Sequence, residues 1–275
     1  MIIAAALLAI SLQHFDGVAG YAAMNFENGE WLAYNGEERF PMASVMKLPV
    51  AIALLQRVDR EQFHLSDVVT ITPEEFSRGW SPIRDNAHGR KVTVSLGELF
   101  ESMLGESDNT AVDKVLSMIG GPAVATKTMR DLHIKNIRID RKEDEVGRDA
   151  MADMPKYSRD PRDTSTPNAM VQLLSLIYRH KEGLSNESHD LMLKVMSESM
   201  TGPHKIREGV PAGSIVAHKT GAMPGTSNDV GIVTSPDGKH HMAIAVFTKG
   251  SRQSEAERDA LVRDFARTAY ERFTR

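Results

Sequence analysis

Ser44-Val45-Met46-Lys47 places a hydroxyl and an amine three residues apart. On a helix that spacing brings both side chains to one face. A helix start adds backbone N–H groups and the positive end of the dipole. A serine hydroxyl is a poor nucleophile until a base takes its proton, and a desolvated lysine can be that base. Alone, the motif is equally an ordinary helix start. Ser107-Asp108-Asn109 stands before a second helical pattern. It can be a cap, or it can offer Ser107 as a proton shuttle and Asn109 as an amide contact. Lys219-Thr220-Gly221 falls inside a strand pattern. A lysine aimed from a strand into a cleft can bind a carboxylate, and Gly221 lets a ligand approach the backbone. The alternative is an edge strand with a gatekeeping lysine.

The elements that must hold these residues follow from periodicity and breakers. Val18–Phe26 and Trp31–Tyr34 read as a hairpin around Glu27-Asn28-Gly29. Ser44–Arg57 reads as a helix, with Leu48, Ile52 and Leu55 on one stripe. Residues 71–91 read as loop with short helical pieces, and Val94–Leu104 and Asn109–Ile119 as helices. Gly120-Gly121 ends the second of these. Residues 137–163 are dense in charge and poor in apolar periodicity, so a long loop is expected, and loops of that length are commonly functional. Helices are expected from Thr166-Pro167 to His180 and over 187–199. Ser214–Ala222, Asn228–Ser235 and His241–Thr248 read as strands, with a turn at Pro236-Asp237-Gly238 and a closing helix over Gln253–Arg272.

Strands from both ends of the chain can share one antiparallel sheet. The fold class expected is therefore α+β: a sheet flanked by N- and C-terminal helices, with an inserted all-helical part and a cleft between them. The sheet part would take residues 1–36 and 201–275. The helical part would take 37–200, including a loop over 140–163.

Composition removes other classes. The chain has 275 residues, 41% of them hydrophobic and 25% charged, enough for a packed core. Net charge is −4 and no basic tract stands out, which argues against a nucleic-acid partner. There is no cysteine, hence no disulfide, thiolate nucleophile or zinc–thiolate site. The ten histidines show no H-x-x-x-H pair, so no metal is implied. The apolar run 2–10 is far short of a bilayer span. It reads as the start of a buried first helix, Ile2 to Phe15, with any export signal expected outside this numbering.

Each motif occurs once, in the order S-x-x-K, S-D-N, K-T-G, each on the element its role needs. This is the motif set of class A β-lactamases and penicillin-binding proteins. The sequence resembles the class A serine β-lactamases over nearly the whole chain. Supporting stretches are Glu38-Arg39-Phe40-Pro41-Met42, Gly120-Gly121-Pro122, Arg162-Asp163-Thr164 and Ile206-Arg207-Glu208-Gly209-Val210-Pro211.

The resemblance implies a role at each matching position. Ser44 would be the nucleophile, with the backbone N–H groups of Ser44 and Ala222 as oxyanion hole. Lys47 would orient or deprotonate Ser44, and Ser107 would relay a proton to the leaving nitrogen. Lys219, Thr220 and Gly221 would receive the substrate carboxylate, and Asn109 its side-chain amide. Trp80 would stand at the cleft mouth; the alternative is a core tryptophan. Asp140-Arg141-Lys142-Glu143 matches the start of the family's omega loop, with Glu143 as general base and Arg141 and Asp163 as the pair closing the loop. The alternative for Glu143 is one solvated acid among three. The implied partner is a small β-lactam, bound by a monomer without cofactor, in the periplasm or secreted.

Four features depart from the family pattern. Asp144 replaces a common proline, and Gly147 replaces an asparagine that helps hold the deacylating water. The stretch Arg141–Asp163 is lengthened near Arg148–Tyr157. Ser227 replaces an arginine common at that place, so Arg258 or Lys205 would supply that charge. The runner-up function is a penicillin-binding acyltransferase or esterase-like relative that acylates but releases slowly. A third is a non-catalytic β-lactam sensor domain.

Overall fold

The computed structural model describes residue 9 and residues 11–275. Most of the first helix expected at Ile2 to Phe15 therefore lies outside the described residues. The first strands are β1 (Val18–Asn25), β2 (Trp31–Tyr34) and the two-residue β3 (Phe40–Pro41). A 3₁₀ turn over Ala43–Met46 runs into helix α1 (Lys47–Val58). Strand β4 (Val68–Ile71), helix α2 (Pro82–Ala87), strand β5 (Val92–Ser95) and helices α3 (Leu96–Leu104), α4 (Asn109–Ile119) and α5 (Pro122–Asp131) follow. Next come α6 (Glu143–Ala152), α7 (Met154–Tyr157), β6 (Thr164–Ser165), α8 (Pro167–Tyr178), α9 (Asn186–Glu198) and α10 (Ile206–Gly209). The chain closes with β7 (Ile215–Met223), β8 (Thr226–Thr234), β9 (His241–Lys249) and α11 (Glu255–Phe273).

Five strands form one antiparallel sheet in the order β2-β1-β9-β8-β7. Both faces are covered, and the alternation of a strand shows how. Along β9, Ala243, Ala245 and Phe247 join the large core shared with the helices, while Met242, Ile244 and Val246 join the core under α11. Residues Lys47 to Leu55 of α1 are all buried, so this helix is the central post of the helical layer. The fold is α+β, as its strand and helix order implied.

Three expectations need correction. Residues 137–163 are not a structureless loop, because α6 and α7 lie within them. Glu143, Asp144 and Glu145 fill the first turn of α6, where negative charge favours a helix start. Val94 and Ser95 belong to β5, which pairs with β4, so the next helix begins at Leu96. Ser95 is its cap, accepting from Glu98 N–H in a capping box. Helix α5, with Pro122 in its first turn, continues the chain where only a helix end was read.

Two short strands fix the entry to the site. β3 pairs with β6 through Phe40–Ser165 and Pro41–Thr164, and Met42 N–H donates to Asp163 O at 3.0 Å. The segment before Ser44 and the end of the 140–163 stretch are thereby one hydrogen-bonded unit.

Candidate active site

Ser44 sits in the 3₁₀ turn after Ala43, whose φ of 46° is in the left-handed region. Such strain in a residue with a side chain persists only when the surroundings hold it. Gly221 of β7 is part of those surroundings. A Cβ there would lie 2.6 Å from Met42 O and 3.1 Å from Ser44 N, so only glycine lets β7 approach the turn. Ala222, next along the strand, lines the same cavity as Ser44.

Asp108 explains why Ser107 and Asn109 are well placed. It is buried and caps α4 by accepting from Ala111 N–H at 2.9 Å. It also accepts from Ile83 N–H at 2.8 Å and from Ser81 Oγ at 3.1 Å, tying the α2 region to the start of α4. Ser107 precedes the cap at a φ of 64°. Its hydroxyl and carbonyl both meet Lys47.

Lys47 is fully buried and is the hub. Its Nζ donates to Ser44 Oγ at 2.7 Å, Ser107 O at 2.8 Å and Asn109 Oδ1 at 2.6 Å, and lies 3.5 Å from Glu143 Oε1. Burial pushes its ammonium below the ordinary lysine value, against the opposing pull of Glu143, Asp108 and Asp113. Ser44 Oγ in turn donates to Glu143 Oε1 at 3.1 Å. The Ser44 hydroxyl thus touches an amine and a carboxylate at once.

Lys219 is also fully buried, although β7 is an edge strand. That removes the gatekeeper reading, which needs a solvated ammonium. Its Nζ donates to Ser107 Oγ and to Thr220 O, both at 2.9 Å, and neither acceptor is charged. Burial and the neighbouring Lys47 charge hold it well below the ordinary lysine value. Thr220 Oγ1 donates to Thr201 Oγ1 at 2.8 Å.

A cavity of about 1010 Å³ opens above this floor, lined among others by Ser44, Trp80, Ser107, Asn109, Glu143 and Gly147. Trp80 is 63% exposed, which excludes the core reading. Its indole N–H is fixed on Glu106 O at 3.0 Å. Glu143 is buried, so it is not one solvated acid among three. The structure therefore gathers every sequence-read site residue at or beneath this cavity except Arg258.

Arg258 is corrected. It does not line the cavity; its guanidinium donates to Gln253 O, and its buried Nε has no hydrogen-bond partner among the described residues. In the first turn of α11 its side chain folds back on the loop before the helix. Lys205 does line the cavity, 3.6 Å from Asp259 Oδ1, and Asp259 also accepts from Ser227 Oγ at 2.5 Å.

The Glu143 arm rests on other contacts. Arg141 Nε pairs with Asp163 Oδ2 at 2.6 Å, and its Nη1 with Asp149 Oδ2 at 2.5 Å. Asp163 also accepts from Asp140 N–H at 2.7 Å and Arg141 N–H at 3.0 Å. Asp113 escaped the sequence reading. It accepts from Glu143 N–H at 2.6 Å and Asp144 N–H at 3.0 Å, capping α6 from a neighbouring helix. Burial, with the Glu143 charge beside it, raises its carboxyl to about 7. Its signal was available: Asp113 lies four residues after Asn109 on α4 and so shares its face.

The model of the Beta-lactamase enzyme family matches residues 3–273. The chain belongs to the class A serine β-lactamase family. It is 30% identical to Beta-lactamase VEB-1 of Pseudomonas aeruginosa over 259 residues, 91% of this chain and 84% of that protein. A β-lactamase structure from Chitinophaga pinensis superposes with a TM-score of 0.88 at 34% identity, covering 98% of this chain and 99% of that one. A class A β-lactamase from Bacteroides cellulosilyticus gives a TM-score of 0.85 at 27% identity, covering 98% and 96%.

Proposed function

We propose that this class A family member hydrolyses the β-lactam amide through an acyl-enzyme on Ser44, and so confers resistance to β-lactam antibiotics. The observation that carries the reading is Ser44 Oγ held between Lys47 Nζ at 2.7 Å and Glu143 Oε1 at 3.1 Å. Either partner can receive the hydroxyl proton as Oγ attacks the lactam carbonyl. The carbonyl oxygen gains negative charge between the backbone N–H groups of Ser44 and Ala222. Ser107, hydrogen-bonded to Lys219, passes a proton to the leaving nitrogen. Glu143 then takes a proton from the water that attacks the ester, and Ser44 is regenerated.

Among the described residues Lys219 has no acidic partner in hydrogen-bond contact, so a substrate carboxylate completes it. Lys205, which lines the same cavity 3.6 Å from Asp259 Oδ1, adds a second cation near Lys219. Asn109 uses Oδ1 on Lys47 and keeps its amide NH₂ for a substrate carbonyl. The chain acts as a monomer, without cofactor in this reaction, in the periplasm or outside the cell. Among the described residues no helix is long and apolar enough to cross a membrane.

A nitrocefin progress curve at catalytic enzyme concentration tests the reading. Many turnovers are expected, and none in Ser44→Ala, which keeps the fold because the change removes one small hydroxyl. A single stoichiometric burst would favour the slow-releasing acyltransferase instead.

A further inference from the structure

The turn between α8 and α9 gathers three side chains that the reaction does not use. His180, Glu182 and His189 each offer a ligand atom, and these atoms lie within 4.8 Å of one another. The two histidines are nine residues apart, so a search for H-x-x-x-H spacing misses them. Their rings stack with centroids 4.2 Å apart and planes 24° from parallel.

Glu182 is the unusual member. It is fully buried, and its Oε1 meets His189 Nδ1 at 2.6 Å. Its Oε2 is buried with no hydrogen-bond partner among the described residues. A carboxylate oxygen withdrawn from water and left unpaired is costly. A proton shared with His189 satisfies Oε1 and leaves Oε2 unexplained. A cation satisfies both.

His180 is oriented for the same purpose. Its Nε2 is 2.9 Å from Leu184 O, and a carbonyl only accepts, so Nε2 carries the proton and Nδ1 the lone pair. A hydrogen bond from the far ring nitrogen to a backbone carbonyl is the usual support of a metal-bound histidine. His180 also holds a φ of 51° at the end of α8, where Lys181 N–H closes on Leu176 O at 2.8 Å. Glycine or asparagine fits that position more cheaply.

The turn itself is fastened to α1. Gln56 Nε2 donates to Glu182 O at 2.8 Å. Asp59 accepts from Ser185 N–H and Ser185 Oγ, both at 2.7 Å, and from Ser188 Oγ at 2.6 Å. The carboxylate is thus preorganised, with His180 exposed and His189 half-buried beside it, so the site opens to solvent on the His180 side.

We propose that His180, Glu182 and His189 form a binding site for a divalent transition-metal ion, zinc by ligand type. Two imidazoles and one carboxylate suit Zn²⁺, with the solvent side supplying the fourth ligand. Tetrahedral bonds of about 2.0–2.1 Å set ligand atoms about 3.4 Å apart, so the wider contacts of the cluster close while His189 Nδ1, now 2.6 Å from Glu182 Oε1, opens to admit the ion. The ion clips the end of α8 to the start of α9.

The test is isothermal titration of Zn²⁺ into the untagged full chain after chelator treatment, with thermal melting alongside. One equivalent should bind with micromolar affinity or better. At a hundredfold excess over Kd, Tm should rise by roughly 5 °C. His180→Asn keeps the left-handed backbone and the fold, and His189→Gln keeps a polar side chain. Each should weaken binding about tenfold or more, the loss that even an outer-shell change brings, while nitrocefin turnover stays at the parent rate. Absence of one-equivalent binding up to millimolar Zn²⁺ would overturn the site. So would binding unchanged in both variants, which would assign the ion to another surface histidine such as His204.

Discussion

The two halves of the proposed reaction rest on different foundations. Ser44, Lys47, Ser107 and Lys219 are held by α1, the α4 cap and β7, and α1 lies at the centre of the main core. Glu143 instead enters on α6, which packs on a separate cluster of Val146, Ala150 and Tyr157 with Met154 and Met223. The rest of its support is polar: the Asp113 cap, the Arg141–Asp163 pair and the short β3–β6 ladder. The stretch Arg148–Tyr157 lies within α6 and α7 and contributes Ala150, Met154 and Tyr157 to that cluster. Attack on the substrate is thus built on rigid core, and release on an arm with its own small core. Changes in the arm should alter deacylation while sparing acylation.

The largest break in that comparison is Glu143→Gln. A general base contributes about 10²–10⁴ in rate, so kcat should fall by that factor as an acyl adduct accumulates. Stopped-flow acylation should remain fast. A variant that turns over at the parent rate would mean another residue activates the water.

Asp113→Asn should come next. Asparagine offers one acceptor where the carboxylate offers two, so one of the buried N–H groups of Glu143 and Asp144 loses its partner, at about 1–3 kcal/mol. If Glu143 moves by about 1 Å, deacylation slows by up to about 10²-fold. A pH series carries the sign. The folded Asp113 carboxyl titrates at about 7, above its ordinary 3.8. Its titration therefore contributes stability that is full below 3.8 and lost as pH rises through about 7. Melting of both proteins across that window should show the parent losing ground to the variant as pH rises. Parallel melting curves for the two proteins across the window would mean that Asp113 ionises normally.

Gly147→Asn sharpens the comparison in the other direction. Gly147 has no left-handed φ, and a Cβ there meets nothing within 4 Å, so a side chain fits. An added hydrogen bond to the deacylating water is worth about 0.5–1.5 kcal/mol, or roughly 2–13-fold faster release. Single-turnover deacylation rates check it, and an unchanged rate would show that the arm already holds the water by other groups.

Tyr157→Phe has the smallest effect on the reaction itself. Among the described residues the buried Tyr157 hydroxyl has no hydrogen-bond partner, so its removal should stabilise the arm by about 1–3 kcal/mol with little change in acylation. Melting and hydrogen exchange across α6 and α7 read this, and a drop in stability would reveal a partner for the hydroxyl.

The same contrast governs what was legible beforehand. β7, β8, β9 and α11 lie within one or two residues of their expected limits, because alternation and the Pro236-Asp237-Gly238 turn are local signals. The motif residues were legible through type and order. β3 and β6 were not, since two residues paired across more than a hundred carry no periodicity. The β4–β5 hairpin was hidden by the long polar segment between its strands. In α6, charge density masked the helix, although the acidic first turn was its start signal. Arg258 does not line the cavity: its place on α11 was legible, but not the direction in which its guanidinium turns, onto Gln253 O.

Rapid quench of the parent enzyme with a good penicillin, followed by intact mass and peptide mapping, tests the central claim most directly. The account predicts a burst of close to one equivalent of adduct, mapped to Ser44, that decays at the rate of steady turnover because release on the α6 arm is the slow half. Turnover with unmodified enzyme throughout, or an adduct on any other residue, would contradict it.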